Sequence, residues 1–453
     1  MSVLFGDGGA EGHMRAKPTV CKRPVDRAGR ILSPARPRRA ASSVGARVAL
    51  LALCVSFLAA LMLPVSASAL PDGRAYEMVT PPDKNGIETG PGIPSVDGNT
   101  VNWEALGGCC GATGSAEQLY QSARTGSGWQ TTDLTPKPST PLEGLFAEQA
   151  PLWWSPDLTQ TIFTTPASYA AGDNRPPAPG ASVYLDLYLQ RPGGSLSWLS
   201  QGPFPGAGTN PYSATFETAT ADGNHVGFTS QERLTSDATG LADLNTPPQF
   251  VYERNVDTGT TDLVNITTTT TTAPASAGDT SITVASTSAF AAGQSMTIGT
   301  GSGQETVTIA SVTDATHIAL SSALTQAHAA GSAVEALISP DGAILGNGNF
   351  LDQSFLPGNY FGTTTNSIST DGTKLFFESP PSFPGGSGSA EGVGNAHLYM
   401  RDEATNSTTP LDDPSSVNGA QYEGASTDGS LVFFTSNEGL GGNTNTDNEL
   451  YEF

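Results

Sequence analysis

Two hydrophobic patterns divide this chain of 453 residues. In the first, apolar residues follow one another directly, as in Leu375-Phe376-Phe377 and Leu431-Val432-Phe433-Phe434. A strand that is apolar on successive residues has both faces buried, so these runs predict small sheets sandwiched between neighbours. In the second, apolar and polar residues alternate, as in Ser281-Ile282-Thr283-Val284, Ser295-Met296-Thr297-Ile298, Glu305-Thr306-Val307-Thr308-Ile309 and His317-Ile318-Ala319-Leu320. Period two marks half-buried strands. No 3.6-residue periodicity long enough for an amphipathic helix stands out after the N-terminal region, and the prediction is all-β.

The direct runs recur in a fixed setting. A turn containing Asp precedes an apolar, aromatic strand; a polar loop and a second strand rich in Tyr follow. The copies are Ser95-Val96-Asp97-Gly98 with Val101-Asn102-Trp103 and Leu119-Tyr120; Ser155-Pro156-Asp157 with Ile162-Phe163 and Leu187-Tyr188-Leu189; Ala221-Asp222-Gly223 with Val226-Gly227-Phe228 and Phe250-Val251-Tyr252; Ser369-Thr370-Asp371-Gly372 with Leu375-Phe376-Phe377 and Leu398-Tyr399; and Ser426-Thr427-Asp428-Gly429 with 431–434 and Leu450-Tyr451. Successive aspartates are 60, 65, 149 and 57 residues apart, so the third interval holds one period plus an insertion. Asp-Gly suits a tight turn, because Gly supplies the left-handed conformation and the Asp side chain caps the turn's own amides. Radial stacking of such sheets, each covering the next, is the propeller solution.

At these residues the chain resembles the TolB-type, WD40-like β-propeller repeat, with its Ser-Pro-Asp-Gly turn, aromatic strand and Leu-Tyr strand. The resemblance covers roughly residues 94–453 outside the insertion, and departs from the pattern at Leu158, which stands where Gly is expected, and in a last copy that stops short. It implies four-stranded blades, used in that family as binding platforms or as companions of hydrolases. The insertion, 267–336, opens on six threonines and carries the four alternating strands; it is expected to form a small antiparallel barrel or sandwich that folds independently, followed by a Pro340-Asp341-Gly342 turn that resumes an interrupted blade. The propeller is thereby divided into 70–266 and 337–453. The segment Arg74-Ala75-Tyr76-Glu77-Met78-Val79 is expected to lie beside the last copy and close the ring.

Charge alters this picture at the N-terminus. Ten of the 20 basic residues precede Val48, against three acidic ones, whereas 10 basic residues face 40 acidic ones from Leu70 onward. Arg36, Arg38, Arg39 and Arg47 lead into an apolar run over 48–63 and then Ala67-Ser68-Ala69, the order of a secretory signal cleaved before Leu70; retained, the run would anchor the chain in a membrane. The acidic remainder repels phosphate backbones and anionic lipid heads, which excludes nucleic acid and peripheral membranes as partners.

Chemistry is sparse. Residues 70–453 carry only Cys109 and Cys110, adjacent and therefore about 3.8 Å apart at Cα, closer than ordinary disulfide geometry; they read as loop thiols, with a strained bridge or soft-metal ligation as the other readings. There is no G-x-S-x-G elbow, P-loop or H-E-x-x-H motif. His225, His317, His328 and His397 are isolated in sequence, and Asp412-Asp413-Pro414 reads as a turn. The best hint of a ligand is hard oxygen donors in two loops: Asp237, Asp243 and Asn245, and Asn443, Asn445, Asp447 and Glu449. Calcium takes six to eight such oxygens, although Asx turns use the same residues. The expectation is an exported or surface propeller that binds a protein or glycan of the cell envelope without catalysis; the alternative is an extracellular hydrolase or lyase acting on polysaccharide or peptide.

Overall fold

The computed structural model describes residues 76–90, 92–111, 117–136, 150–173, 184–204, 212–238, 249–338, 343–346, 366–379, 396–414, 416, 418–442 and 447–453. All regular structure among them is β apart from two short 3₁₀ turns, Gly301–Gly303 and Leu440–Gly442. Residues 77–453 form one compact unit. The signal-like region, 1–69, lies outside the described residues.

Five antiparallel sheets follow one another along the chain. Sheet 1 holds β1 (Gly92–Pro94), β2 (Thr100–Leu106), β3 (Glu117–Thr125) and β4 (Gly128–Asp133) in sequence order, and sheet 2 repeats it with β5 (Ala150–Trp154), β6 (Thr161–Thr165), β7 (Asp186–Gln190) and β8 (Leu196–Trp198). Sheet 3 is β9 (Ala214–Ala219), β10 (His225–Ser230), β11 (Phe250–Asn255) and β12 (Thr260–Leu263). The next strands, β13 (Ile266–Thr270), β14 (Ser281–Thr283), β15 (Ser295–Ile298), β16 (Glu305–Asp314), β17 (His317–Leu320) and β18 (Ala333–Leu337), form a separate six-stranded sheet. Sheet 4 comprises β19 (Ile344–Leu345), β20 (Lys374–Ser379), β21 (His397–Asp402) and β22 (Ser407–Pro410), and sheet 5 three strands, β23 (Ala420–Ala425), β24 (Val432–Ser436) and β25 (Glu449–Glu452).

Every Asp turn leads into the second strand of a sheet, and all five use one hydrogen-bond pattern. In sheet 4 the Ser369 hydroxyl donates to Asp371 Oδ1 at 2.6 Å and accepts from the Lys374 amide at 2.9 Å, while Asp371 Oδ1 also accepts from the Thr373 amide at 3.1 Å. Ser95, Ser155 and Ser426 repeat this with Asp97, Asp157 and Asp428. In the third copy the hydroxyl belongs to Thr220, one residue before the Ala221-Asp222-Gly223 string read from the sequence. The Ser hydroxyl first, and then the turn amide, hold the carboxyls of Asp97 and Asp428 down to about 2. Ser369 is fully buried, so Ser369→Ala leaves the Lys374 amide without its acceptor and is expected to cost about 1–3 kcal/mol. Urea denaturation of the variant measures this, and an unchanged midpoint would show that water serves the amide equally well.

Leu158 occupies its turn's left-handed position, with φ 58°, where the other four copies have Gly98, Gly223, Gly372 and Gly429. That conformation costs a leucine about 1–2 kcal/mol. Its side chain is buried, worth about 1.5–3 kcal/mol, so burial outweighs the backbone cost.

Sheets 2 to 5 stack face to face. Sheets 2 and 3 share a core containing Ile162, Leu187, Val226, Phe228 and Tyr252; sheets 3 and 4 share Val251, Val264, Leu345, Leu375 and Phe377; sheets 4 and 5 share Phe376, Leu398, Tyr422 and Phe434. The adjacent Phe376 and Phe377 thus face opposite neighbours, as the direct apolar run predicts. At the edges the Asp turns lie side by side: Asn102 and Gln121 donate to the Leu158 carbonyl, Gln160 to the Asp222 carbonyl, and Thr370 to the Thr427 carbonyl. No ring closes among the described residues. Tyr76–Val79 forms no strand, and Glu77 accepts from Arg124 and from Trp129 Nε1 at 3.1 Å. Through these contacts Glu77 lies on the outer hairpin of sheet 1, not beside the last copy, because its carboxylate is held there by a guanidinium and an indole N–H. Leu450 and Phe453 remain exposed at the free edge.

The six-stranded sheet runs β13-β18-β15-β16-β17-β14, and its two edge strands meet, with the Thr272 amide donating to the Thr283 carbonyl and the Ala285 amide to the Thr270 carbonyl, both at 2.9 Å. It has its own core, including Ile282, Val284, Met296, Ile298, Val307, Ile318 and Val334. Sheet 3 is already four-stranded at Leu263, so this sheet falls between two sheets and interrupts neither; Pro340, Asp341 and Gly342 lie outside the described residues. It leans on the outer strand of sheet 4, where the Thr408 hydroxyl donates to the Ile266 carbonyl. Because Ile266 and Leu337 are directly paired, their Cα atoms are about 5 Å apart. Replacing 267–336 with an Asn-Gly turn is expected to leave a cooperative all-β melt. Loss of that transition would mean that sheets 3 and 4 need the six-stranded sheet to fold.

Candidate functional site

The opposite end of the stacked sheets carries the long connections. Between the second and third strands the chain spends from 10 residues in sheet 1 to 20 in sheet 2, against five or six between the first and second strands of sheets 1, 2, 3 and 5, and 28 in sheet 4. The tyrosine of each Leu-Tyr strand anchors the start of this connection wherever that start is described. Tyr252 and Tyr451 donate to the carbonyls of Glu232 and Glu438, each at 2.8 Å, and Tyr120 donates to the Gly107 carbonyl while accepting the Cys109 amide. In sheet 2, Tyr188 accepts the Tyr169 amide and donates to Asp173. A second device pins the third strand: a polar side chain just after the fourth strand accepts its leading amide, Thr135 from Leu119, Ser200 from Leu187, Asn265 from Val251 and Asp412 from Leu398.

Three of those four acceptors are neutral. Asp412 is the exception, and its second oxygen meets His397 Nδ1 at 2.8 Å, both side chains buried. Glu438, reaching across from sheet 5, completes a group: one ligand atom from each of His397, Asp412 and Glu438 lies within 4.8 Å of the others. Glu438 Oε2 accepts the Asp413 amide at 3.1 Å. His397 Nε2 and Glu438 Oε1 are buried and have no hydrogen-bond partner among the described residues. Below them Glu378 is held well above the usual carboxylate range by burial, with the charge of Asp412 adding to it, and its Oε1 accepts the Tyr422 amide at 2.6 Å. This buried arrangement of one imidazole and two carboxylates is able to coordinate a metal ion.

The residues read from the sequence as calcium donors fall elsewhere. Asp237 is half-buried and shares a small pocket with Ser295, Thr297 and Glu335 of the six-stranded sheet; burial raises the carboxyl of Glu335, and the charge of Asp237 adds to it. Asp447 is exposed and Glu449 opens β25. Asp243, Asn245, Asn443 and Asn445 lie outside the described residues. Histidines that look isolated in sequence all pair with carboxylates: His225 with Glu253, His317 with Asp314, His328 with Glu305 and His397 with Asp412, at 2.7–2.9 Å. The loop-thiol reading of Cys109 and Cys110 is also corrected. The two are joined as a vicinal disulfide, and Cys110 has a left-handed φ of 57°.

No known protein family and no curated protein matches the sequence. Among solved structures the chain is similar to a TolB-type protein from Agrobacterium tumefaciens, at 10% identity over 77% of this chain and 70% of that one, with a TM-score of 0.29. It is also similar to an acylaminoacyl peptidase from Pyrococcus horikoshii, at 8% identity over 82% of this chain and 45% of that one, with a TM-score of 0.22. A GH74 enzyme from Niastella koreensis is 12% identical over 84% of this chain and 50% of that one, with a TM-score of 0.21. The relationship to a TolB-like, WD40-like propeller fold is distant, of low identity and partial coverage. No helix among the described residues is long and apolar enough to cross a membrane.

Proposed function

We propose that this chain is an exported or cell-surface β-propeller that acts as a binding module for a protein or glycan of the cell envelope, with its six-stranded sheet closed into a small accessory barrel. The observation that carries this reading is the difference between the two ends of the sheet stack. At one end five short turns repeat a single hydrogen-bond pattern; at the other, connections of 10–20 residues, unlike one another in sequence, are held at their bases by tyrosine hydroxyls. Loops that differ on a repeated frame are where recognition resides. The acidic surface favours cationic or neutral partners over phosphate-bearing ones.

Full-length protein and a variant with residues 381–395 shortened are to be compared for retention on purified cell-envelope glycan and on envelope protein, alongside chromogenic glycoside and peptide substrates. Retention that the shortened loop loses, at an unchanged melting temperature, is the expected result. Turnover of a substrate would instead establish the hydrolase reading, and equal retention of both proteins would remove the loop end as the binding surface.

A further inference from the structure

We infer that His397, Asp412 and Glu438 bind a divalent transition-metal ion of the zinc class, which clips sheet 5 to sheet 4 at the loop end. The three ligand atoms already converge within 4.8 Å. Ligands about 2.0–2.2 Å from a tetrahedral zinc stand roughly 3.3–3.6 Å apart, so modest side-chain rotation closes the set.

Two independent features separate this group from a chance acidic cluster. The first is the pair of orphan atoms. His397 Nε2 and Glu438 Oε1 sit on side chains more than nine-tenths buried, with no hydrogen-bond partner among the described residues. A buried polar atom left unpaired costs about 1–3 kcal/mol, and a cation satisfies an imidazole lone pair and a carboxylate oxygen together. The second is substitution at equivalent positions. Sheet 3 has Glu232 where sheet 5 has Glu438, yet the sheet before it supplies Asp186 and Ser200 in place of His397 and Asp412. Sheet 2 has Asp186 at the His397 position, and there Ser200 and Trp198 Nε1 both donate to it. The strand-capping role of Asp412 needs only a neutral acceptor. Its charge, beside Glu438, is unexplained by capping, and among the described residues no lysine or arginine pairs with either carboxylate. Buried charges persist when paired or when they coordinate metal.

The donor set selects the metal. Calcium and magnesium take oxygen ligands in larger number, whereas one imidazole with two carboxylates suits zinc, cobalt or manganese. Three protein ligands leave a fourth position for water or for a group of a bound partner.

The test uses the full chain after chelator treatment, titrated with Co²⁺ and then Zn²⁺. One equivalent of Co²⁺ should give a d–d absorption band, Zn²⁺ should displace it, and Zn²⁺ should raise the melting temperature of the chelated protein. Asp412→Asn is the discriminating variant, because Asn265 already performs the capping role in sheet 3, so the fold is retained while the charge is removed. The band should be lost in Asp412→Asn and in Glu438→Gln, and kept when Cys109 and Cys110 are both changed to Ser. Absence of stoichiometric Co²⁺, a band undiminished in both carboxylate variants, or a melting shift with Ca²⁺ and none with Zn²⁺ would overturn the inference.

Discussion

Phe376→Ala is expected to lower stability by about 3–5 kcal/mol, while the equivalent Phe433→Ala in the next sheet costs less than half as much. Both residues stand five positions after the turn aspartate, Asp371 and Asp428. Phe376 is fully buried, stacks on Tyr422 with ring centroids 5.7 Å apart and belongs to the core between sheets 4 and 5. Phe433 instead lines an open hollow with Glu423, Thr435 and Leu450, where truncation removes little buried area. Urea denaturation of the two variants gives the comparison directly. Equal losses would mean that the face of sheet 5 bearing Phe433 is covered in solution.

That contrast bears on how much of the molecule is legible in its sequence. The direct apolar runs locate the second strands, and the Asp turns locate their starts, because both signals are local. The alternating strands over 281–284, 295–298, 305–309 and 317–320 correspond to β14, β15, β16 and β17 for the same reason. Thr220 escapes the motif because a threonine hydroxyl does the work of serine at a position where only the Asp-Gly pair draws notice. The candidate site is harder to see. His397 and Asp412 are 15 residues apart and meet only because β21 and β22 pair in the register Tyr399 with Pro410; Glu438 comes from another sheet. A usable signal did exist in the repeat alignment: the position after the fourth strand reads Thr135, Ser200, Asn265 and Asp412, and a charge among neutral acceptors asks for a partner. The vicinal disulfide has no such local sign, since the same Gly-Gly-Cys-Cys-Gly string accommodates either free thiols or a bond.

The position that Phe376 occupies also shows where the repeat's own consensus fails. In sheet 2 it is Ile162 and in sheet 4 Phe376, so averaging the copies would place a large apolar residue at Gly227 in sheet 3. The structure opposes this. A Cβ on Gly227 would lie 2.2 Å from Leu345 Cδ1, 3.0 Å from Thr218 Cγ2 and 3.2 Å from Ile368 Cδ1. Leu345 is fully buried in the core between sheets 3 and 4, so its methyl has no vacant space to enter. The volume that sheets 2 and 4 supply from their second strands is here supplied by Leu345 from the first strand of the following sheet. Gly227→Val should therefore destabilise by at least the ~1–3 kcal/mol typical of overpacking, although valine is the better strand former. Leu345→Ala alone opens a cavity and costs about 2–5 kcal/mol. Combined, the two changes exchange volume across one interface, and the double variant should be more stable than the sum of the single losses predicts, by a coupling of about 1–3 kcal/mol. Additive losses would show that the clash at Gly227 is relieved by backbone movement rather than by Leu345, and a Gly227→Val protein as stable as its parent would reject the close approach of sheets 3 and 4 altogether.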